Sequence, residues 1–161
     1  MTNLESLLRT PLQKVNKILV WIFLVLSLIG FLDATYLTAK HYVGGPIICP
    51  IFGGCEKVLN SPYSMIGFVP VALLGVFYYS LMLVLIVAYF NSEEFRFLKI
   101  ASASTFLGLL ASIWFMFVQF FIIQALCFYC VVSAFISVSL FILGIVILKT
   151  TKYPENSRGI L

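Results

Sequence analysis

A chain of 161 residues has room for one domain, and a composition of 62% hydrophobic and 10% charged residues exceeds what a soluble core of that size buries. The mean hydropathy of +1.11 therefore favours a protein of the lipid bilayer. The net charge is +4, but the sequence has no Lys- and Arg-rich run with interleaved aromatic residues. This pattern argues against nucleic acid as a partner.

Four long apolar stretches follow one another along the chain, at about residues 15–39, 66–90, 97–123 and 126–148. Each exceeds the roughly 20 residues that cross a hydrocarbon core as a helix. Because lipid offers the backbone no hydrogen-bond partners, and the stretches are continuously apolar rather than alternating, helices are favoured over a β-barrel. The sequence predicts an all-α integral membrane protein, a four-transmembrane-helix bundle forming one domain over residues 1–161.

The basic residues predict the orientation of the spans. The loop of residues 40–65 carries only Lys40 and Lys57, whereas the other eight basic residues lie on the opposite side. The positive-inside rule therefore predicts a multi-pass protein of the cell membrane with both termini cytoplasmic and the 40–65 loop outside. The first stretch is also too long for the apolar core of a typical signal peptide. The eight residues are Arg9, Lys14, Lys17, Arg96, Lys99, Lys149, Lys152 and Arg158.

All four cysteines fall on the predicted outer side, where disulfides persist. Cys49 and Cys55 lie in the loop with C-x5-C spacing, and Cys127 and Cys130 form a C-x2-C pair at the start of the fourth span. Residues three apart share a helix face, so the last two sulfurs can meet. Unpaired N–H groups and the helix dipole stabilise a thiolate at such a helix start, which favours redox reactivity.

Aromatic residues surround the C-x2-C pair at the level where a lipid-soluble oxidant arrives. They suit the planar ring of a quinone, although aromatic residues also form belts at membrane interfaces in general. The candidate quinone-binding residues are Phe115, Phe121, Phe128, Tyr129 and Cys130.

Two structural interpretations of the cysteines stay open. They could form structural disulfides in a non-catalytic membrane protein, such as a transporter subunit or an assembly factor. They could also bind one zinc ion, although the C-x5-C spacing is loose for a zinc knuckle.

Glycines divide the outer loop around its cysteines. Gly44-Gly45-Pro46 precedes Cys49, and Gly53-Gly54 precedes Cys55, so the loop pair can move as thiol–disulfide exchange requires. Residues 55–60 suit a short helix on the membrane surface, ended by Ser61-Pro62. Such a helix would cover the reactive sulfurs and exclude water from them.

Taken together, these features resemble the bacterial branch of the vitamin K epoxide reductase family. The resemblance runs from about residue 16 to 148. Its matching positions are Tyr36-Leu37-Thr38, His41, the run from Cys55 to Ser64, Gly67, Pro70, Cys127 and Cys130.

The resemblance implies an electron relay. Cys49 would meet a thioredoxin-like partner, Cys55 would pass electrons to Cys127, and Cys130 would reduce menaquinone or ubiquinone. Ser61 matches a family serine near the redox centre, although its hydroxyl also suits a turn ahead of Pro62.

Two departures from the family refine that expectation. Many bacterial relatives continue into a fused thioredoxin-like domain, whereas thirteen residues follow the fourth span here, so a separate partner protein is expected. Vertebrate members carry a tyrosine at the position of Ala134, which favours a respiratory quinone over vitamin K epoxide.

One acidic residue, Asp33, lies within the first span. A carboxylate at the centre of a span costs about 2.5–3.5 kcal/mol, and less toward its ends. Asp33 is expected to face the bundle, satisfied by hydroxyl groups or water, with proton transfer beside the quinone as the alternative.

Overall fold

The computed structural model describes residues 17–45, 47, 49, 53–92 and 94–152, with side chains up to Lys149. The predictions that involve Arg9, Lys14, Pro46, Arg158 and the side chain of Lys152 lie outside the described residues.

Four long helices account for most of the described chain. Helix α1 covers Lys17–Val43, α3 covers Val71–Ser92, α4 covers Phe95–Phe117, and α5 covers Phe128–Lys152. A shorter helix, α2, covers Cys55–Leu59 in the loop. The four long helices are long and apolar enough to cross a membrane, so the predicted four-helix membrane bundle is confirmed.

The long helices form a ring in which α1 and α4 each pack against both α3 and α5. Phe23, Met82 and Leu140 are completely buried where the helices meet. The outward face carries large exposed apolar side chains, among them Trp114 and Phe135. Such a surface suits lipid, because lipid tails are as apolar as the side chains of a protein core.

Two glycines let neighbouring helices approach closely. A Cβ atom at Gly30 of α1 would collide with the ring of Tyr79, and one at Gly108 of α4 would collide with the ring of Tyr78. Both tyrosines belong to α3. Consecutive residues of α3 thus fill spaces opened by glycines on two different helices, as is typical of membrane helix packing.

The segment before α3 is a small hairpin rather than the first turn of a span. A 3₁₀ turn at Pro62–Ser64 leads into strand β1, Met65–Ile66, which pairs antiparallel with strand β2, Val69–Pro70. Gly67 has φ +65°, a left-handed conformation that glycine adopts without strain. The second span therefore begins at Val71 rather than near residue 66.

The end of α4 widens before the chain turns into α5. Residues Val118–Ile123 continue the helix as a π-helical segment, and Gln124 has φ +52°. This left-handed residue turns the chain sharply, so only the short connection of residues 124–127 separates α4 from α5. The end of the bundle that holds this connection and α2 is named the cysteine end below.

Candidate active site

The two loop cysteines are joined and differ in exposure. Cys49 forms a disulfide with Cys55, and their Cα atoms are 6.2 Å apart. Cys55 is the first residue of α2 and only 1% exposed, whereas Cys49 is half-buried. One sulfur of the pair therefore faces the protein, and the other is the more accessible.

Cys127 and Cys130 stand free at the start of α5. Cys127 is completely buried, and its carbonyl oxygen accepts the N–H of Val131 at 3.1 Å, the first hydrogen bond of the helix. A hydrogen bond from the Cys130 thiol lowers the pKa of Cys127, opposed by burial and supported by the backbone N–H groups of Cys130 and Tyr129. The arrangement stabilises a thiolate on Cys127, the form that attacks a disulfide.

All four cysteines belong to one packed cluster at the cysteine end. Cys55 and Cys127 are buried within it, together with Leu37 of α1, and Cys49 and Cys130 pack at its edge. The order of the chain does not bring the two pairs together, because about 70 residues separate them. Contacts of α2 with the segment Val118–Ile123, and of Gly54 with Leu126, do so.

Gly54 explains how α2 sits so close to the connection. A Cβ atom at this position would lie 2.6 Å from the carbonyl oxygen and 2.9 Å from the nitrogen of Leu126. Backbone atoms cannot move aside as a flexible side chain can. Glycine at position 54 is therefore what lets the loop pair lie against the C-x2-C pair.

Gln119, just after α4, contacts the C-x2-C pair. This residue was not among those predicted from the sequence. Its side-chain oxygen accepts the backbone N–H of Cys127 at 3.0 Å, and its side chain is also close enough to hydrogen-bond the Cys130 thiol. The signal available was a polar residue within an apolar span, which marks a bundle-facing position. The π-helical widening turns Gln119 inward, where it is buried.

A cavity of about 420 Å³ opens beneath the cysteine cluster, between α1, α3, α4 and α5. Its volume lies in the range of small-molecule sites. Most of the wall is apolar, and Cys130 is the cysteine that lines it. The polar or titratable residues on the wall are Asp33, His41, Ser61, Tyr63, Ser64, Tyr78, Tyr79, Ser112, Gln119, Cys130, Ser133 and Ser137.

The aromatic residues predicted to bind a quinone occupy different places. Phe115 lines the cavity with Cys130, whereas Phe121 is 71% exposed and stacks on Phe117 with ring centroids 4.8 Å apart. Phe128 and Tyr129 pack against the cysteine cluster and do not line the cavity. The ring of Tyr129 lies 4.9 Å from that of Tyr36.

Ser61 has a place both in the turn that follows α2 and on the cavity wall. Its hydroxyl donates a hydrogen bond of 2.7 Å to the carbonyl oxygen of Val58, which ends α2, and the residue also lines the cavity wall. His41, near the end of α1, lines the same cavity.

Two oxygens on the cavity wall have no hydrogen-bond partner among the described residues. They are Oδ2 of Asp33 and the hydroxyl of Tyr78, and both are buried. The hydroxyl of Tyr79 differs, because it lies 3.1 Å from the hydroxyl of Ser133 and 3.3 Å from that of Ser137. Buried polar atoms without partners in a protein are unusual and indicate a place for a ligand or water.

The zinc alternative finds no support in the part of the chain that the structure describes. No group of three or more His, Cys, Asp or Glu side chains there is arranged to hold a metal ion. Cys49 and Cys55 are engaged with each other instead.

Two comparisons with known proteins cover most of the chain. A family model described as the vitamin K epoxide reductase family matches residues 21–145, which include all four cysteines. The chain is also 33% identical, over 132 residues, to the Thiol-disulfide oxidoreductase LTO1 of Arabidopsis thaliana. The match covers 77% of this chain and 34% of that protein, so the chain spans about a third of that relative's length. The family model covers most of the chain, with both cysteine pairs and the greater part of each span, and the chain belongs to the vitamin K epoxide reductase family.

Proposed function

We propose that the protein is a membrane thiol oxidoreductase that relays electrons from a thioredoxin-like dithiol protein to a quinone. The loop pair, Cys49 and Cys55, takes the electrons, and the C-x2-C pair, Cys127 and Cys130, delivers them. The relay supports disulfide formation outside the cell membrane. The observation that carries the proposal is the single cluster of four sulfurs, with Cys130 lining a cavity beside it.

The exposure of the loop pair supports an order of events. Cys49 is the more accessible sulfur, so the partner's thiolate attacks it and the partner leaves with a disulfide. Two thiols of the partner are oxidised, and the Cys49–Cys55 disulfide is reduced to two thiols. Cys55 is then left buried against the start of α5.

Internal exchange returns the loop pair to its starting state. The Cys55 thiolate attacks Cys127 of a Cys127–Cys130 disulfide and forms a Cys55–Cys127 bond, with Cys130 as the leaving thiolate. Cys49 then attacks Cys55, the Cys49–Cys55 disulfide forms, and Cys127 leaves. The hydrogen bonds that stabilise a thiolate on Cys127 make it a good leaving group in this step.

The cavity fits a quinone by its size and its mostly apolar wall, which also carries polar side chains. Phe115 would contact the ring, and the unpartnered oxygens of Asp33 and Tyr78 would face it. A quinone supplies an acceptor for two electrons and two protons. Menaquinone and ubiquinone both meet this description, and Ala134 on the wall leaves the ring more room than a tyrosine would.

The distribution of charge supports the proposed orientation. The described basic residues at the end opposite the cysteines are Lys17, Arg96, Lys99 and Lys149, whereas α1 carries Lys40 toward the cysteine end. By the positive-inside rule, this distribution supports a position of the cysteines outside the cell membrane. The Arabidopsis relative is named as a thiol-disulfide oxidoreductase, which supports the same chemistry.

Thiol trapping tests the relay. The reduced, purified protein is mixed with ubiquinone-1 or menadione and quenched over time with a mass-tagging alkylating reagent. The same reaction is run on each single Cys→Ser variant. We expect quinone to form the Cys127–Cys130 disulfide first, and Cys49 and Cys55 to become oxidised only when Cys127 and Cys130 are both present.

A different pattern would overturn the relay. If the sulfurs ignore both quinones, or if both pairs stay bonded and inert toward a dithiol protein, the cysteines are structural. The protein would then be a non-catalytic membrane protein.

A further inference from the structure

Reduction of a quinone to a hydroquinone requires two protons as well as two electrons. This inference rests on the proposed function, in which both electrons come from Cys127 and Cys130. One of the two sulfurs must react as a thiolate, which carries no proton into the step. The hydrogen bonds to Cys127 make it the sulfur suited to this role. Cys130 brings one S–H proton, and a second acid at the cavity must bring the other.

The cavity wall offers few acids for this second proton. The hydroxyl of Tyr79 is engaged with Ser133 and Ser137, and Tyr63 is 47% exposed. His41 lies near the end of α1. Asp33 lies deeper, on the same helix.

Asp33 lines the same cavity as Cys130 and lies one helical turn from the cysteine cluster. It lies four residues before Leu37, one turn away on the same face of α1, and Leu37 packs in the cysteine cluster. Its carboxyl group is close enough to Cys127 and Cys130 to interact with both electrostatically. The carboxyl group of Asp33 therefore lies on the same cavity wall as Cys130.

Four buried side-chain oxygens lack hydrogen-bond partners among the described residues: those of Ser27, Asp33, Tyr78 and Ser102. Ser27 and Ser102 lie away from the cavity, whereas Asp33 and Tyr78 line it. An unpaired carboxylate is costly to bury in apolar surroundings, whereas the neutral acid costs less and has an O–H to donate. Of these groups, Asp33 alone is a carboxylic acid.

We propose that Asp33 is the proton donor to the quinone oxygen during oxidation of the C-x2-C pair. The step consumes the Cys127 thiolate, the Cys130 thiol, the quinone and the Asp33 carboxylic acid. It yields the Cys127–Cys130 disulfide, the hydroquinone and the Asp33 carboxylate. Two sulfurs lose one electron each, and the two protons come from Cys130 and from Asp33.

The test compares the full-length protein with three variants. Asp33→Asn keeps the size and a hydrogen-bond donor but has no acidic proton, and Asp33→Glu restores the acid. Ser27→Ala is the matched control, because Ser27 is buried on the same helix, lies outside the cavity, and its hydroxyl has no hydrogen-bond partner within the described residues. Menadione is the probe.

Four readouts separate proton donation from a structural role. The first is the single-turnover rate of Cys127–Cys130 disulfide formation, measured by trapping across a range of pH. The second is the affinity for menadione, from quenching of intrinsic fluorescence. The third is thermal stability in detergent, and the fourth is the infrared C=O band of the Asp33 acid on addition of menadione.

We expect Asp33→Asn to slow disulfide formation by about 100-fold, as for loss of a general acid, with affinity and stability unchanged. The fall of the wild-type rate at high pH should disappear in this variant and return in Asp33→Glu. The titratable groups around Asp33 are Tyr78 and Tyr79 of α3, Cys130 and Tyr129 of α5, and Cys127 before it. Menadione should shift the acid's C=O band in the wild type, and Ser27→Ala should match the wild type throughout.

An Asn variant that reacts at the wild-type rate would overturn the inference. So would a slow Asn variant whose affinity or stability falls in parallel, because that pattern is a packing defect. If the wild-type pair is not oxidised by menadione at all, the proposed function fails first, and the experiment shows this in its reference sample.

Discussion

The side-chain oxygen of Gln119 accepts the backbone N–H of Cys127 at 3.0 Å, so the widened end of α4 holds the start of α5. The backbone N–H of Ala125 also lies 3.3 Å from the carbonyl oxygen of Gln119. Gln119 thus engages the connection through both its side chain and its backbone. The position of a redox sulfur depends on a side chain that belongs to a different helix.

Replacing Gln119 with leucine should lower the free energy of unfolding by about 1–3 kcal/mol, because the buried N–H of Cys127 loses its acceptor. The measurement is unfolding in denaturing detergent. Phe120, 59% exposed, provides the matched control, and Phe120→Leu should change stability by less than about 0.5 kcal/mol. Equal stability of the two variants would show that the Gln119 hydrogen bond is unimportant.

Gly54→Ala should slow electron transfer from the loop pair to the C-x2-C pair on the order of 10- to 100-fold, because the added Cβ meets the backbone of Leu126 and displaces α2. The measurement is the rate at which a dithiol protein reduces the Cys127–Cys130 disulfide. Gly53→Ala is the control, since a Cβ there has no described atom within 4 Å. Identical rates for the two variants would contradict the proposed contact.

Neighbouring tyrosines should respond differently to loss of the hydroxyl group. Tyr79→Phe should destabilise the protein by roughly 1 kcal/mol, because it removes hydrogen bonds to Ser133 and Ser137. Tyr78→Phe should leave stability unchanged or raise it, because its hydroxyl has no partner among the described residues. Thermal unfolding in detergent distinguishes the pair, and a larger loss for Tyr78→Phe would refute this assignment.

The pH dependence of Cys127 should change when its neighbour is altered. A hydrogen bond from the Cys130 thiol is the largest influence that lowers the pKa of Cys127. Cys130→Ala should therefore raise that pKa, and alkylation of Cys127 by iodoacetamide should reach half its maximal rate at a higher pH. Peptide mapping follows the reaction, and Ser133→Ala, which touches Tyr79 instead, should leave the midpoint unmoved.

Much of the architecture could be predicted from the sequence, because long apolar stretches indicate segments that are removed from water. The four spans and the short helix at Cys55 were predicted, and so was the grouping of the cysteines at one end. Hydropathy does not distinguish lipid from protein interior, however. Phe115 and Phe121 look alike in sequence, yet one lines the cavity and the other faces outward.

Local chemistry explains what the hydropathy pattern did not predict. The apolar residues of β1 and β2 suit a strand as well as a helix, and only the turn at Gly67 separates the hairpin from α3. The π-helical widening at Gln119 is a matter of backbone hydrogen bonding that no residue pattern specifies. The cavity could not be foreseen, since it depends on how four helices are rotated about their axes.

The two glycines beneath Tyr78 and Tyr79 have a consequence for the choice of electron acceptor. Because these rings rest against Gly108 and Gly30, the separation of α1, α3 and α4 limits how wide the cavity is. Rotation of the Tyr78 or Tyr79 side chain cannot freely enlarge the cavity. Lipids that press these helices together or let them part would then alter which ring substituents are admitted, and the bilayer itself would take part in selecting the oxidant.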